Sequence, residues 1–128
     1  MATNDIRNND MMAHLLGALE GGQDIGHYGR LVFVMVGRHF LDEDELVHYL
    51  AMNPDFDEIK ARALVQQVQQ RDYNPPRRER ILEWQAQQDF PICPGGDDPD
   101  ACNVYRNLKF PDGVYENIQE YHEQKVGS

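Results

Sequence analysis

An unbroken run of six apolar residues, from Leu31 to Val36, is the feature that most restricts how this chain can fold. A run without polar positions indicates an element that is mostly buried. Its valine-rich composition would also suit a buried strand. Because Arg30, Arg38 and His39 flank the run with a polar pattern, we favour a helix over residues 26–40.

Capping residues and apolar periodicity indicate four further helices around this one. The apolar residues of each recur at spacings of three and four, which places them on one face of a helix. Asp42 and Glu45 have the spacing of a capping box. The start and stop signals are Asn8–Asp10 and Gly21 for the first helix, Asp42 and Asn53 for the third, Asp57 for the fourth and Pro76 for the fifth.

Residues 89–113 have a different character, since they hold four prolines and three glycines. That density of helix and strand breakers predicts an irregular segment. A loop of this length in a compact domain is usually functional or pinned in place. A last short helix is expected from Val114 to Tyr121. The sequence therefore predicts an all-α fold, a bundle of five to six helices with one long irregular segment at about 89–113.

The length of 128 residues fits one domain. We expect it over residues 10–123, with disordered tails at 1–9 and 124–128. The net charge of −10 excludes a generic duplex-binding surface, so contacts to nucleic acid have to come from locally clustered arginines. Without a signal peptide or an apolar run of membrane-spanning length, we expect a cytoplasmic protein with no membrane partner.

Five fragments follow one another in a characteristic order. They are MMAHLLGALEGGQDIGHYGR at 11–30, NPDF at 53–56, DYNPP at 72–76, ICP at 92–94 and DPDACNVY at 98–105. In this order and at similar spacing they resemble the C-terminal domain of the archaeal and eukaryotic DNA primase large subunit, over residues 10–122. The resemblance implies a helical domain for DNA replication that supports primer synthesis by a separate catalytic subunit.

The family holds a [4Fe–4S] cluster through four cysteines, and only two of these positions keep cysteine here, as Cys93 and Cys102. The other two positions hold Met11 and Arg78. Two thiolates cannot hold a four-iron cluster, so we expect no cluster and no other cofactor. Side-chain packing would then take the place of the cluster. Zinc bound by Cys93, Cys102 and His14 is a less favoured alternative to two packed free thiols.

The resemblance also implies a binding site for the 5′-triphosphate of an initiating nucleotide at the turn that holds His27 and Arg30. A helix N-terminus, an arginine fork and an imidazole donor all suit phosphate. Asp24 would oppose such binding. A capping role for His27, and a solvated helix face for the basic run at 77–80, remain open alternatives. The full candidate site consists of His27, Arg30, Arg38, Tyr73, Arg77, Arg78 and Arg80.

These observations predict a non-catalytic accessory domain. It would bind a nucleoside triphosphate and single-stranded or primed DNA, and assist a primase catalytic subunit or a primase–polymerase. The chain lacks the clustered carboxylates that phosphoryl transfer requires. The alternative is a repurposed, cluster-free scaffold that binds another protein, which the charge of −10 and the incomplete ligand set favour.

Overall fold

The structure is a computed structural model that describes residues 6–94, 104, 108 and 110–114. Over these residues the regular elements are all helices and none is a strand, so the expected all-α class is confirmed. Five helices have defined bounds. They are α1 (Asp10–Glu20), α2 (Gly26–Gly37), α3 (Glu43–Leu50), α4 (Glu58–Arg71) and α5 (Arg78–Gln85).

Helix α2 lies at the centre of the bundle. The side chains of Val32, Phe33, Val34 and Val36 are fully buried. Each of the other four helices contacts α2. At Gly37 the contact with α3 is so close that a Cβ atom would lie 3.0 Å from Cδ2 of Leu46. The apolar run is therefore buried from Val32 to Val36, while Leu31 at its start is half-buried.

Three of the helices begin at side chains that accept a hydrogen bond from the first turn. Asn9 accepts one from the Met12 N–H at 3.0 Å, and Asp57 accepts one from the Lys60 N–H at 2.8 Å. The Asp42 carboxylate accepts one from the Glu45 N–H at 2.8 Å, and the Glu45 side chain accepts one from the Asp42 N–H at 3.3 Å. The predicted capping box is thus confirmed, and each cap satisfies donors that the helix leaves unpaired.

The packed region begins earlier than we expected. Ile6 lies in a helical turn and is fully buried, and Asn9 is buried beneath the start of α1. The expected disordered tail at residues 1–9 therefore extends too far, because the side chains of Ile6 and Asn9 are already packed in the core. At the other end, residues 112–114 are already helical. The rest of the expected last helix and the tail at 124–128 lie outside the described residues.

Candidate functional site

The start of α2, where the sequence places the candidate site, is held by two side-chain amides from remote parts of the chain. Asn53 is almost fully buried, and its Oδ1 accepts a hydrogen bond from the Ile25 N–H at 2.9 Å. Gln88 is the second amide. Its Oε1 accepts a hydrogen bond from the Tyr28 N–H at 2.9 Å, and its Nε2 donates to the carbonyls of Ile25 at 2.9 Å and Phe90 at 3.0 Å.

Gly26 is required between these two amides for two reasons. Its φ of +78° lies in the left-handed region that favours glycine. A Cβ atom there would also lie 2.5 Å from Oε1 of Gln88, which is closer than any real contact. The Tyr28 ring stacks on Trp84 of α5 at a centroid distance of 5.5 Å, and its hydroxyl donates to Gln87 at 3.1 Å. The end of α5 is thereby packed on the first turn of α2.

Arg30 extends from the first turn of α2 across the Phe56 ring. Its guanidinium carbon lies 4.5 Å from the ring centroid, which is the geometry of a cation–π contact. Its Nη1 lies 3.2 Å from Oδ1 of Asp24, in a single contact. The Arg30 side chain is 16% exposed, whereas that of Asp24 is 62% exposed. The cation is thus held by the protein, while its carboxylate partner reaches out into solvent.

The same Asp24 oxygen accepts a hydrogen bond from the Gly26 N–H at 2.9 Å. This backbone bond, followed by contributions from Asn53 and Arg30, keeps the pKa of the Asp24 carboxyl below its ordinary value, although partial burial opposes the shift. Asp24 therefore stays ionised, and it acts as a local anion at the point where the sequence predicts a phosphate. His27 is exposed, with its ring edge-on to Tyr28 at 5.2 Å.

Two other residues of the predicted site, Arg38 and Tyr73, lie at the opposite end of α2. Nη2 of Arg38 donates to Oδ1 of Asp72 at 2.7 Å and to the Tyr73 carbonyl at 2.9 Å. Eight positions along a helix correspond to about 12 Å, so Arg38 is separated from Arg30 by most of the length of α2. The structure brings His27 and Arg30 into one turn, and it places Arg38 and Tyr73 elsewhere.

The basic run lies at the beginning of α5, at the end away from Trp84. Arg77 precedes the helix, and Arg78 is its first residue. Nη2 of Arg78 contacts the Glu79 carboxylate at 3.1 Å, and Nη1 of Arg80 contacts that of Glu83 at 3.6 Å. Tyr28 stacks on Trp84 near the other end of α5, about one to two helical turns along from the run. Whether any of these residues binds phosphate stays a prediction.

Two of the positions that the resemblance assigns to cluster ligands, Met11 and Arg78, do not fit an iron–sulfur cluster. Met11 is fully buried in the apolar core and carries no thiolate. Arg78 offers a guanidinium, which cannot ligate iron. Cys93 is half-buried, and its N–H donates to Gln85 at 2.9 Å. Cys102 lies outside the described residues, so the redox state of the pair stays a prediction.

The alternative zinc site includes Cys102, which lies outside the described residues, so zinc binding stays a prediction. His14 stacks on Phe90 at 5.1 Å, and its Nε2 donates to the Pro91 carbonyl at 2.8 Å, which occupies one of its two ring nitrogens. Among the described residues, no group of three or more histidine, cysteine or acidic side chains could hold a metal ion.

An open depression lies beside the start of α2, on the loop between α3 and α4. Its volume is about 590 Å³, and one of its walls is Phe56, the residue whose ring Arg30 contacts. Met52 and Pro54 add apolar surface, while Asp55 and Lys60 add opposite charges. In the sequence, Asn53–Phe56 indicates a helix stop and is one of the five fragments of the resemblance, whereas nothing indicates the role of Gln88.

No family model, curated protein or solved structure matches the chain. Over the residues that the structure describes, no helix is both long enough and apolar enough to cross a membrane.

Proposed function

We propose that this chain is an accessory domain of the primase-large-subunit type. It binds the 5′-triphosphate of an initiating nucleotide, or the end of a primer–template, and assists a separate primase catalytic subunit. The order of the sequence fragments supports the family. The observation that carries the proposal is the environment of Arg30, which is mostly buried against the Phe56 ring and has a 3.2 Å contact with the exposed carboxylate of Asp24.

The contact distances and the side-chain exposures distinguish Arg30 from Arg38 and Arg80 of the predicted site. Its contact with Asp24, at 3.2 Å, is longer than the 2.7–2.9 Å of a strong charge-assisted bond. Arg38 makes such a bond, at 2.7 Å, and a second one to a backbone carbonyl. Arg80 has a looser contact, at 3.6 Å, but its side chain is 62% exposed and therefore not held in place. Arg30 combines a fixed position with a replaceable partner.

A phosphate that reaches this point can replace Asp24. The Asp24 carboxylate then gives up its contacts with Arg30 and with the Gly26 N–H, and the phosphate takes its place at the same two donors. The incoming oxygens then accept from the Arg30 fork, and from the Gly26 N–H that Asp24 releases. The exposed His27 donates from the same turn, and the depression beside Phe56 leaves room for the rest of the ligand.

The acidic body of the protein does not prevent this binding at physiological ionic strength. Exposed charges farther apart than the Debye length, about 8 Å at 0.15 M salt, are largely screened. Only the nearest carboxylates then act on the phosphate. With one or two phosphate contacts, the affinity for a single strand should fall only weakly with salt, with a slope of about −0.7 to −1.4 on a double-logarithmic plot.

The test is a titration of the full chain with single-stranded oligonucleotides that carry either a 5′-triphosphate or a 5′-hydroxyl. We expect the triphosphate to bind more tightly. Arg30→Ala removes hydrogen bonds to a charged group, worth about 1.5–3 kcal/mol, and should weaken binding by about 10- to 100-fold. Arg71→Ala, which removes an exposed arginine outside the predicted site, is the matched control and should bind as the wild type does.

Two results would contradict the proposal. One is equal affinity of the wild-type chain for the two oligonucleotides. The other is equal affinity of Arg30→Ala and the wild type, with both proteins folded by circular dichroism. Arg30→Lys adds a finer comparison, because lysine keeps the charge but not the fork, and it should bind with intermediate affinity.

A scaffold that binds another protein is the second candidate, and the pairing of the arginines favours it. Local carboxylates offset much of the positive charge in the described residues, which leaves an acidic surface suited to a basic protein partner. Failure of the wild-type chain to bind any of the phosphate ligands would favour this function. The arginines within 4 Å of a carboxylate include Arg7, Arg30, Arg38, Arg62, Arg78 and Arg80.

A further inference from the structure

His39 lies in the turn after α2 with one ring nitrogen buried and unsatisfied. Its Nε2 is out of contact with solvent, and no described residue makes a hydrogen bond to it. The ring instead meets Phe110 edge-on, at a centroid distance of 5.5 Å and an angle of 83°. Phe40 contacts the same Phe110 ring at 5.5 Å. Phe110 is 2% exposed, so His39 and Phe40 form the corner onto which it packs.

The charges around this ring favour its neutral form. Burial is the main cause that lowers the pKa of His39 below its ordinary value, and the neighbouring Arg38 cation adds to the effect. Asp72 acts in the opposite direction, but its carboxylate is paired with Arg38 at 2.7 Å. Asp112, the acidic residue of the segment around Phe110, is exposed. In the neutral ring Nε2 can carry only a lone pair, which leaves no buried N–H without an acceptor.

Protonation of His39 puts a hydrogen on the buried Nε2. A charged imidazole carries an N–H on both nitrogens, so the buried Nε2 would become a donor with no acceptor. A buried, unpaired donor that also carries charge is costly. Departure of the Phe110 ring would relieve that cost, because it would admit water to Nε2. The proton therefore binds more tightly when the corner is open than when it is closed.

We propose that His39 is an acid-sensitive latch, whose protonation releases the segment Phe110–Val114 from the corner formed by His39 and Phe40. The proposal stands independently of nucleotide binding. The direction of the effect follows from linkage, because the open form binds the proton more tightly. The equilibrium constant for opening increases as the pH falls below about 6.5, by at most tenfold per pH unit, and it stops increasing below the pKa of the closed form. At neutral pH and above, the latch is closed.

The test is hydrogen exchange of the full chain at about pH 7.5 and about pH 5.5, corrected for intrinsic exchange rates. We expect the opening constant of residues 110–114 to rise by up to about tenfold at the lower pH, with a smaller change for 32–36 in α2. His39→Phe keeps an aromatic contact but cannot take up a proton, and it should abolish the rise. His39→Gln provides a second non-titrating variant, and His48→Gln, at an exposed histidine of α3, is the matched control.

A second readout does not depend on these variants. In Phe110→Ala the ring that packs edge-on against His39 is removed, so the pKa of His39, followed by NMR, should rise towards its ordinary value. The proposal is overturned if the low-pH opening of 110–114 persists in both His39 variants, if α2 opens to the same extent, or if Phe110→Ala leaves the His39 titration unchanged.

Discussion

Replacement of Gln88 by alanine should destabilise the fold by far more than the same change at its neighbour Gln87. Gln88 makes three hydrogen bonds, of which two join the segment after α5 to the start of α2 and one links Gln88 to Phe90 within that segment. Each contributes about 0.5–1.5 kcal/mol, for a sum of about 3 kcal/mol. Because Gln88 is half-buried, water can replace part of these hydrogen bonds in the variant. We therefore expect the free energy of unfolding to fall by about 2 kcal/mol. Gln87 makes one exposed contact at 3.1 Å and one at 3.5 Å, and its loss should cost less than about 0.5 kcal/mol.

Urea denaturation followed by circular dichroism measures this difference. With an m-value of about 1.5–2 kcal/mol/M, Gln88→Ala should lower the transition midpoint by about 1 M, and Gln87→Ala by less than about 0.3 M. Gln88→Glu keeps the length of the side chain but removes both donors, so a carboxylate would face the carbonyls of Ile25 and Phe90. It should be at least as destabilising as alanine. Equal midpoints for the two alanine variants would refute the reasoning.

Two further predictions concern acid stability and the core. The pKa of Asp24 is lowered in the folded state, so the contribution of its carboxylate to stability is present above pH 3.8 and is lost as the pH falls through the folded pKa. Asp24→Asn should therefore lose less stability in acid than the wild type does. Urea midpoints measured from about pH 7 to about pH 3 check this. Ile81 is fully buried and Ile59 is 82% exposed. Ile81→Ala should accordingly cost about 2–5 kcal/mol and Ile59→Ala less than about 0.5 kcal/mol in the same assay, and similar costs would contradict the observed packing.

Local signals in the sequence were sufficient for most of the helices. Asp42 and Glu45 act within one turn of each other, so their capping box can be recognised from spacing alone. The apolar run at Leu31–Val36 likewise requires burial wherever the chain places it, and the structure puts it at the centre. Such features are determined by residues at most a few positions apart.

The site was harder to predict because its geometry comes from contacts between distant residues. Gln88 lies sixty positions from its partner Tyr28, and a glutamine after a helix gives no sign of such a bond. Arg38 and Arg30 flank the same run in the sequence, but the helix carries them to opposite ends. Asp72, in a left-handed conformation with a φ of +51°, then takes up Arg38. Neither the conformation nor the pairing has a local signal.

The two amides that grip the start of α2 have a consequence for anything that docks there. Asn53 and Gln88 reach Ile25 and Tyr28 from separate stretches of the chain, so this turn is immobilised before a ligand arrives. A ligand then meets donors that are already aligned, and the entropy of ordering them has been lost during folding. A ligand could therefore bind with useful affinity through a few contacts. Loss of the Asn53 or Gln88 hydrogen bonds would lower that affinity, although neither side chain contacts the ligand.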